Sequence, residues 1–251
     1  MTGLSDSQID RYARHIVLKE VGGAGQQKLL RARVLVIGAG GLGSPLIMYL
    51  AAAGVGTIGI VDDDIVSRSN LQRQVLHGAD MLDRAKTDSA IATVGRLNDD
   101  VVVEPHRIRI DADNADALVS AYDLVCDGSD NFATRFAVHD ACFRNRKPLV
   151  SAAILRFDGQ LATWRGYEPG RPCYRCLYPE IPPEEQTCAQ DGVLGAIAGV
   201  MGSMQAVEAV KELLGLGVSM AGQLLIHDAL AATFRKVRVR PDPECPLCGG
   251  A

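Results

Sequence analysis

Apolar residues along this chain gather into short continuous runs, set apart by segments with helical periodicity. Residues Arg33 to Gly38 read Arg-Val-Leu-Val-Ile-Gly and precede a small-residue helical stretch over 44–53. A second run, Thr57 to Asp62, is followed by a predicted helix over 84–97. Further runs at Val101–Val103, Leu124–Cys126 and Leu149–Ala153 alternate with helical stretches over 115–121 and 132–145. A strand that is apolar on both faces must be covered on both, and helix-length crossovers supply the cover. The pattern predicts a parallel, doubly wound sheet with its ligand crevice at the carboxyl ends of the strands.

The rhythm changes after Ala153. Leu155–Trp164 and Thr233–Val239 alternate with period two, which predicts antiparallel strands that extend the sheet. Between them lie a Pro-rich stretch, 169–183, and a Gly-rich helix over 194–214. Gly195, Gly199 and Ser203 recur every four residues on that helix, spacing that suits close backbone approach within the chain or between two copies. No linker and no internal repeat divides the chain. The expected fold class is therefore α/β, a Rossmann-like, mostly parallel sheet extended by antiparallel strands. One domain over 1–251 is expected, with an N-terminal helical arm (1–30), a nucleotide-binding half (31–153) and a second half (154–251) carrying a loop over 178–192. In the arm, Ser5 and Gln8 have capping-box spacing ahead of an apolar stripe of Ile9, Tyr12, Ala13 and Ile16, and Arg14 falls off that stripe.

Composition narrows the function. With 47% hydrophobic residues the chain is not disordered, and a formal charge of −4 is unlike the basic balance of a dedicated nucleic-acid binder. Residues 1–10 are polar, unlike a secretory signal. The longest apolar segment, 193–207, contains Ser203 and Gln205 and is shorter than the ~20 residues of a membrane span. A cytoplasmic protein is expected, with neither nucleic acid nor membrane as partner.

Gly38-Ala-Gly-Gly-Leu-Gly43 follows the first predicted strand and opens a helix. Gly38 suits a tight turn, Gly40 close approach of a phosphate, and Gly43 helix–strand packing. Exposed amides at a helix start attract an anion, and Asp62 at the end of the second run can take a ribose hydroxyl. On this basis alone the ligand reads as NAD. Arg73, Lys86 and Asp130 shift the balance, because a triphosphate that expels pyrophosphate needs cations and magnesium to neutralise developing charge. Asp130 is a suitable carboxylate for Mg²⁺. The set fits ATP, and no Walker A sequence is present.

Four of the seven cysteines form two Cys-x-x-Cys pairs, Cys173/Cys176 and Cys245/Cys248. Four thiolates suit a closed, tetrahedral, structural Zn²⁺ site, here a clamp joining distant segments. Cys126 and Cys142 lie in apolar contexts and are expected in the core.

Arg11-Tyr-Ala-Arg14, Gly38–Gly43, Ala53-Gly-Val-Gly56, Asp62 with Asp64, Ser69-Asn-Leu-Gln-Arg-Gln74, Lys86, Ser129-Asp-Asn131 and the two cysteine pairs span nearly the whole chain. In these stretches the sequence closely resembles the MoeB/ThiF family of ubiquitin-activating-like adenylyltransferases. The resemblance implies a homodimer that binds Mg-ATP and activates the C-terminal glycine of a ubiquitin-like sulfur carrier ending in Gly-Gly, bound by the 154–251 half. It implies that Gly38, Gly40, Gly41, Gly43, Asp62, Asp64, Ser69, Asn70, Arg73, Lys86, Asp130 and Asn131 form the nucleotide and metal site. It also implies that Arg14 reaches the phosphates of the neighbouring subunit. Cys188 matches a cysteine that, in the thiamine branch, can bond covalently to the carrier during sulfur transfer, and structural and catalytic roles stay open for it. Ser129 replaces a common Thr and keeps the hydroxyl. Arg156-Phe-Asp-Gly-Gln160 and Phe234-Arg235 look more like the molybdopterin branch than the thiamine branch. With three residues after Cys248, sulfur is expected from a separate donor protein. ThiF-like adenylation of a thiamine-branch carrier is the alternative within the family, and an NAD-dependent oxidoreductase and a catalytically silent scaffold are the alternatives outside that activity. Arg73, Lys86 and Asp130 argue against the scaffold, and the lack of an evident proton-relay histidine near the glycine loop argues against the oxidoreductase.

Overall fold

The computed structural model describes residues 3–182 and 191–249. An eight-stranded sheet runs through it in the order β3-β2-β1-β4-β5-β6-β7-β8. Strands β1 (Arg33–Ile37), β2 (Thr57–Val61), β3 (Val102–His106), β4 (Leu124–Asp127) and β5 (Leu149–Leu155) are parallel. Strands β6 (Asp158–Trp164), β7 (Gln223–Asp228) and β8 (Thr233–Arg238) continue the sheet antiparallel. The likeness to a doubly wound sheet with an antiparallel extension is as expected.

Alternation along β1 shows how both faces are filled. Val34 and Val36 join a core with α4 (Gly43–Ala52), α5 (Lys86–Leu97) and α8 (Gly195–Leu214), to which Leu46, Leu50, Val94, Met201 and Leu213 contribute. Leu35 and Ile37 point the other way, into a core with α6 (Ala115–Ser120) and α7 (Phe132–Arg144) that holds Val119, Phe136, Val138 and Trp164. Cys126 and Cys142 are buried, one in each core. Gly202 on α8 makes the close approach to α4, since a Cβ there would collide with Leu42 O. Gly195 packs on the backbone of Gln72, whereas a Cβ at Gly199 would meet nothing within 4 Å, so within the chain the four-residue stripe is not one packing surface.

The N-terminal arm is helical in three short pieces. Its capping box is present, with Gln8 N donating to Ser5 Oγ at 3.2 Å and Ser5 N to Gln8 Oε1 at 3.1 Å. The helix breaks at Tyr12 into α1 (Asp6–Arg11) and α2 (Ala13–Ile16), ahead of α3 (Gly22–Arg31). Tyr12 is the fully buried member of the stripe: it is 2% exposed and its hydroxyl accepts from Asn98 Nδ2 at 2.8 Å, while Ile16 is half-buried and Ile9 and Ala13 are exposed. Among the described residues no helix is long and apolar enough to cross a membrane.

Candidate functional site

The strand order places β1 between β2 and β4, whose crossovers go to opposite faces, and a crevice opens where the chain diverges. A cleft of about 630 Å³ occupies this position. Gly38, Gly40 and Gly41 form its floor. Gly38 adopts φ +88°, the left-handed region that favours glycine. Gly43 begins α4 behind the loop, and a Cβ there would overlap Gly38 O. Backbone and Ser44 side-chain bonds hold the Gly40 carbonyl at 2.9 and 2.7 Å, which turns it into the helix.

Charged side chains converge from the connections that follow β2 and β4. Asp62 directly follows β2, and its Oδ2 accepts from Ala39 N at 2.8 Å while Oδ1 accepts from Asp64 N at 2.9 Å. Burial pushes the Asp62 carboxyl up, and Lys86 with the two amides opposes this. Lys86, the first residue of α5 and 4% exposed, sets its ammonium 2.8 Å from Asp64 Oδ2 and 3.9 Å from Asp62 Oδ1. Arg73 lines the cleft beside Gly41; its guanidinium donates to Asn70 Oδ1 at 3.2 Å and to Ser69 O at 3.4 Å. Ser69 and Asn70 thus orient Arg73 and do not themselves line the cleft. Asp130 and Asn131 line the opposite wall, where Asn131 Oδ1 caps α7 by accepting from Thr134 N at 2.9 Å. Asp130 lies three residues beyond β4 rather than at its end, because Asp127 closes that strand.

Several cleft residues escaped the sequence reading. Arg135, one turn into α7, donates to Ser129 O and Ala152 O and lies 4.0 Å from buried Asp127. Its place four residues after Asn131, on the same helix face, is the signal that could have found it. The segment Ile108–Ile110, and Gln74 with its buried Oε1, also line the cleft. At the other end Asp158, Gln160 and Tyr178 open it toward the antiparallel strands. Arg14 is exposed and is not among the lining residues. Cys188 lies outside the described residues.

Away from the cleft, Cys173, Cys176, Cys245 and Cys248 bring their sulfurs within 4.8 Å of one another. Cys173–Cys245 is 3.5 Å, Cys176–Cys248 3.3 Å and Cys173–Cys176 3.9 Å. None is a disulfide. Burial and the neighbouring sulfurs push the Cys173 thiol up, and Cys248 up to about 12. The knuckle is held by α7: Tyr174 N donates to His139 Nε2 at 2.9 Å, and Arg175 Nη2 to Asp140 Oδ2 at 2.6 Å.

Known proteins are similar to this chain along most of its length. The SAMP-activating enzyme E1 of Haloferax volcanii is 50% identical over 248 residues, covering 98% of this chain and 91% of that protein. The sulfur carrier protein adenylyltransferase of Thermus thermophilus is 47% identical, with 96% and 91% covered. The adenylyltransferase and sulfurtransferase MOCS3 of Bos taurus is 50% identical over 249 residues; this chain spans 54% of its length. In fold, the crystal structure of E. coli MccB with ATP matches at a TM-score of 0.83, with 21% identity, 98% of this chain and 75% of that one covered. The model of the ThiF family matches residues 12–247, from the tyrosine that anchors the arm to the last cysteine pair, and the chain belongs to that family.

Proposed function

We propose that this chain catalyses ATP-dependent adenylation of the C-terminal glycine carboxylate of a ubiquitin-like sulfur carrier, releasing pyrophosphate. The acyl-adenylate would serve thiocarboxylate formation in molybdenum cofactor assembly. One observation carries the reading: a glycine loop at a helix start, four cationic side chains and several carboxylates share one cleft that opens toward the antiparallel strands. The names of the Haloferax and Thermus relatives support it.

The chemistry asks for position and charge, not for a protein nucleophile. A carboxylate oxygen of the carrier attacks the α-phosphorus, the bond to the bridging oxygen breaks, and pyrophosphate leaves with the electron pair. Gly40 and Gly41 offer amides to the phosphates, Arg73 and Lys86 neutralise charge that grows on the leaving group, and Asp62 takes the ribose. Asp130, exposed in the cleft beside Asn131, fits Mg²⁺ as a carboxylate ligand. Magnesium would there draw charge from the phosphate oxygens. Asp64, Ser69, Asn70 and Asn131 orient these groups.

The four sulfurs fit Zn²⁺. Tetrahedral bonds of about 2.3 Å place sulfurs ~3.8 Å apart, near the spacings here. With four thiolates the ion would have no open position, so its part would be to tie the C-terminal segment to α7. A homodimer, with Arg14 acting on the partner's phosphates, and a separate sulfur donor complete the proposal. Cys188, which lies in sequence between the Pro-rich stretch and α8, is the candidate for a covalent link to the carrier. ATP–pyrophosphate exchange in the presence of candidate carriers tests the reading: exchange that depends on one carrier's terminal glycine is expected, and tight NAD binding without exchange would overturn it.

A further inference from the structure

His77 does not line the cleft, yet it bonds the glycine loop directly. Its Nε2 is 2.8 Å from Ala39 O, and its Nδ1 is 2.9 Å from Ser89 Oγ. Both His77 and Ser89 are buried, at 6% and 1% exposure. A carbonyl oxygen only accepts, so Nε2 must carry the proton. The Ala39 carbonyl thus selects the tautomer, and Nδ1 accepts from the Ser89 hydroxyl, which fixes the ring from its other side. Burial pushes the imidazole pKa down, with nearby Lys86 in the same direction and Ala39 O and Asp62 opposing, so the ring is neutral near pH 7.

The Ala39 residue is therefore gripped at both ends, its N–H by Asp62 and its C=O by His77. Ala39 lies between Gly38 and Gly40, the residues most free to rotate. A rotation that turned its carbonyl into the cleft would present an oxygen dipole to a polyphosphate. The neighbouring Gly40 carbonyl is already retained by Ser44. We infer that His77 is a positioning residue for the phosphate-binding loop: it holds the Ala39 carbonyl out of the cleft, with Ser89 on α5 anchoring the ring through Nδ1. Lys86 starts the same helix, so one rigid element places both the loop's tether and the cation that faces it.

The inference rests on the nucleotide reading above, and the test separates the two. Wild type, His77→Leu, His77→Gln and Ser89→Ala are each titrated with Mg-ATP and with adenosine, which lacks phosphates. The expected result is an about tenfold weaker affinity for Mg-ATP in His77→Leu, the scale of one buried hydrogen bond, with adenosine unchanged. His77→Gln, which can still donate to Ala39 O, should recover most of the loss. Equal weakening of both ligands, or none, overturns the inference. Should His77→Leu fail to fold, Ser89→Ala decides: selective loss of Mg-ATP supports the tether, and wild-type affinity overturns it. Wild type that binds no Mg-ATP defeats the nucleotide reading itself.

Discussion

Lys86 Nζ lies 2.8 Å from Asp64 Oδ2 while nearly all of its own side chain is buried, and Asp64 stays largely exposed. The pair is lopsided: the cation is fixed by the fold and the anion is free to rotate away. A polyphosphate entering the cleft can take over Lys86 without unmaking a buried pair. Lys86→Ala should lower ATP–pyrophosphate exchange on the order of 10²-fold, as for loss of one preorganised donor to developing charge. Asp64→Ala should cost far less. Steady-state exchange rates check both.

Asp140 provides a pH-dependent prediction. Burial resists ionisation, but hydrogen bonds from His139 and Arg175 outweigh it and bring the carboxyl down to about 2. A folded pKa below the unfolded one stabilises above the unfolded value near 4 and fades as the pH falls toward the folded one. Asp140→Asn should therefore destabilise the protein by about 2 kcal/mol at neutral pH, with the gap to wild type narrowing between pH 4 and 2. Urea midpoints measured at several pH values check the sign.

Metal analysis tests the cysteine cluster. About one zinc per chain is expected, and Cys176→Ser should lose metal and thermal stability together. An unchanged melting temperature would remove the clamp.

Subunit mixing tests Arg14. An Arg14→Ala chain and an Asp130→Ala chain, each inactive alone, should regain exchange when combined, because one hybrid site has an intact Asp130 and an Arg14 from the other chain. No activity despite proven subunit exchange would place Arg14 outside the reaction.

Gly43→Ala should abolish nucleotide binding or folding, because its Cβ would overlap Gly38 O. Thermal melting and Mg-ATP titration of the purified variant separate those outcomes.

What could be read ahead of the fold follows from how residues bury. β1, β2, β4 and β5 showed as continuous apolar runs because both faces of each strand are covered, and the glycine loop followed from its place between a run and a helix. β7 was missed: its Leu224-Leu225-Ile226 breaks the period-two pattern, and most of its residues are only half buried. β3 runs past Pro105, which an edge strand tolerates where an interior one would not. The cysteine pairs were legible by spacing. His77, Asp127 and Arg135 were not, since each is a lone residue whose importance comes from a partner distant in sequence.

Strand β5 belongs to two structures at once. It pairs with β4 only as far as Ser151, then runs on to Leu155 against β6, carrying Ala153, Ile154 and Leu155 into the wall of the cleft. A hinge between the parallel and antiparallel strands would have to tear a seven-residue ladder. The sheet thus acts as one stiff plate, and adjustment to a macromolecular substrate is confined to the connections and side chains at its rim.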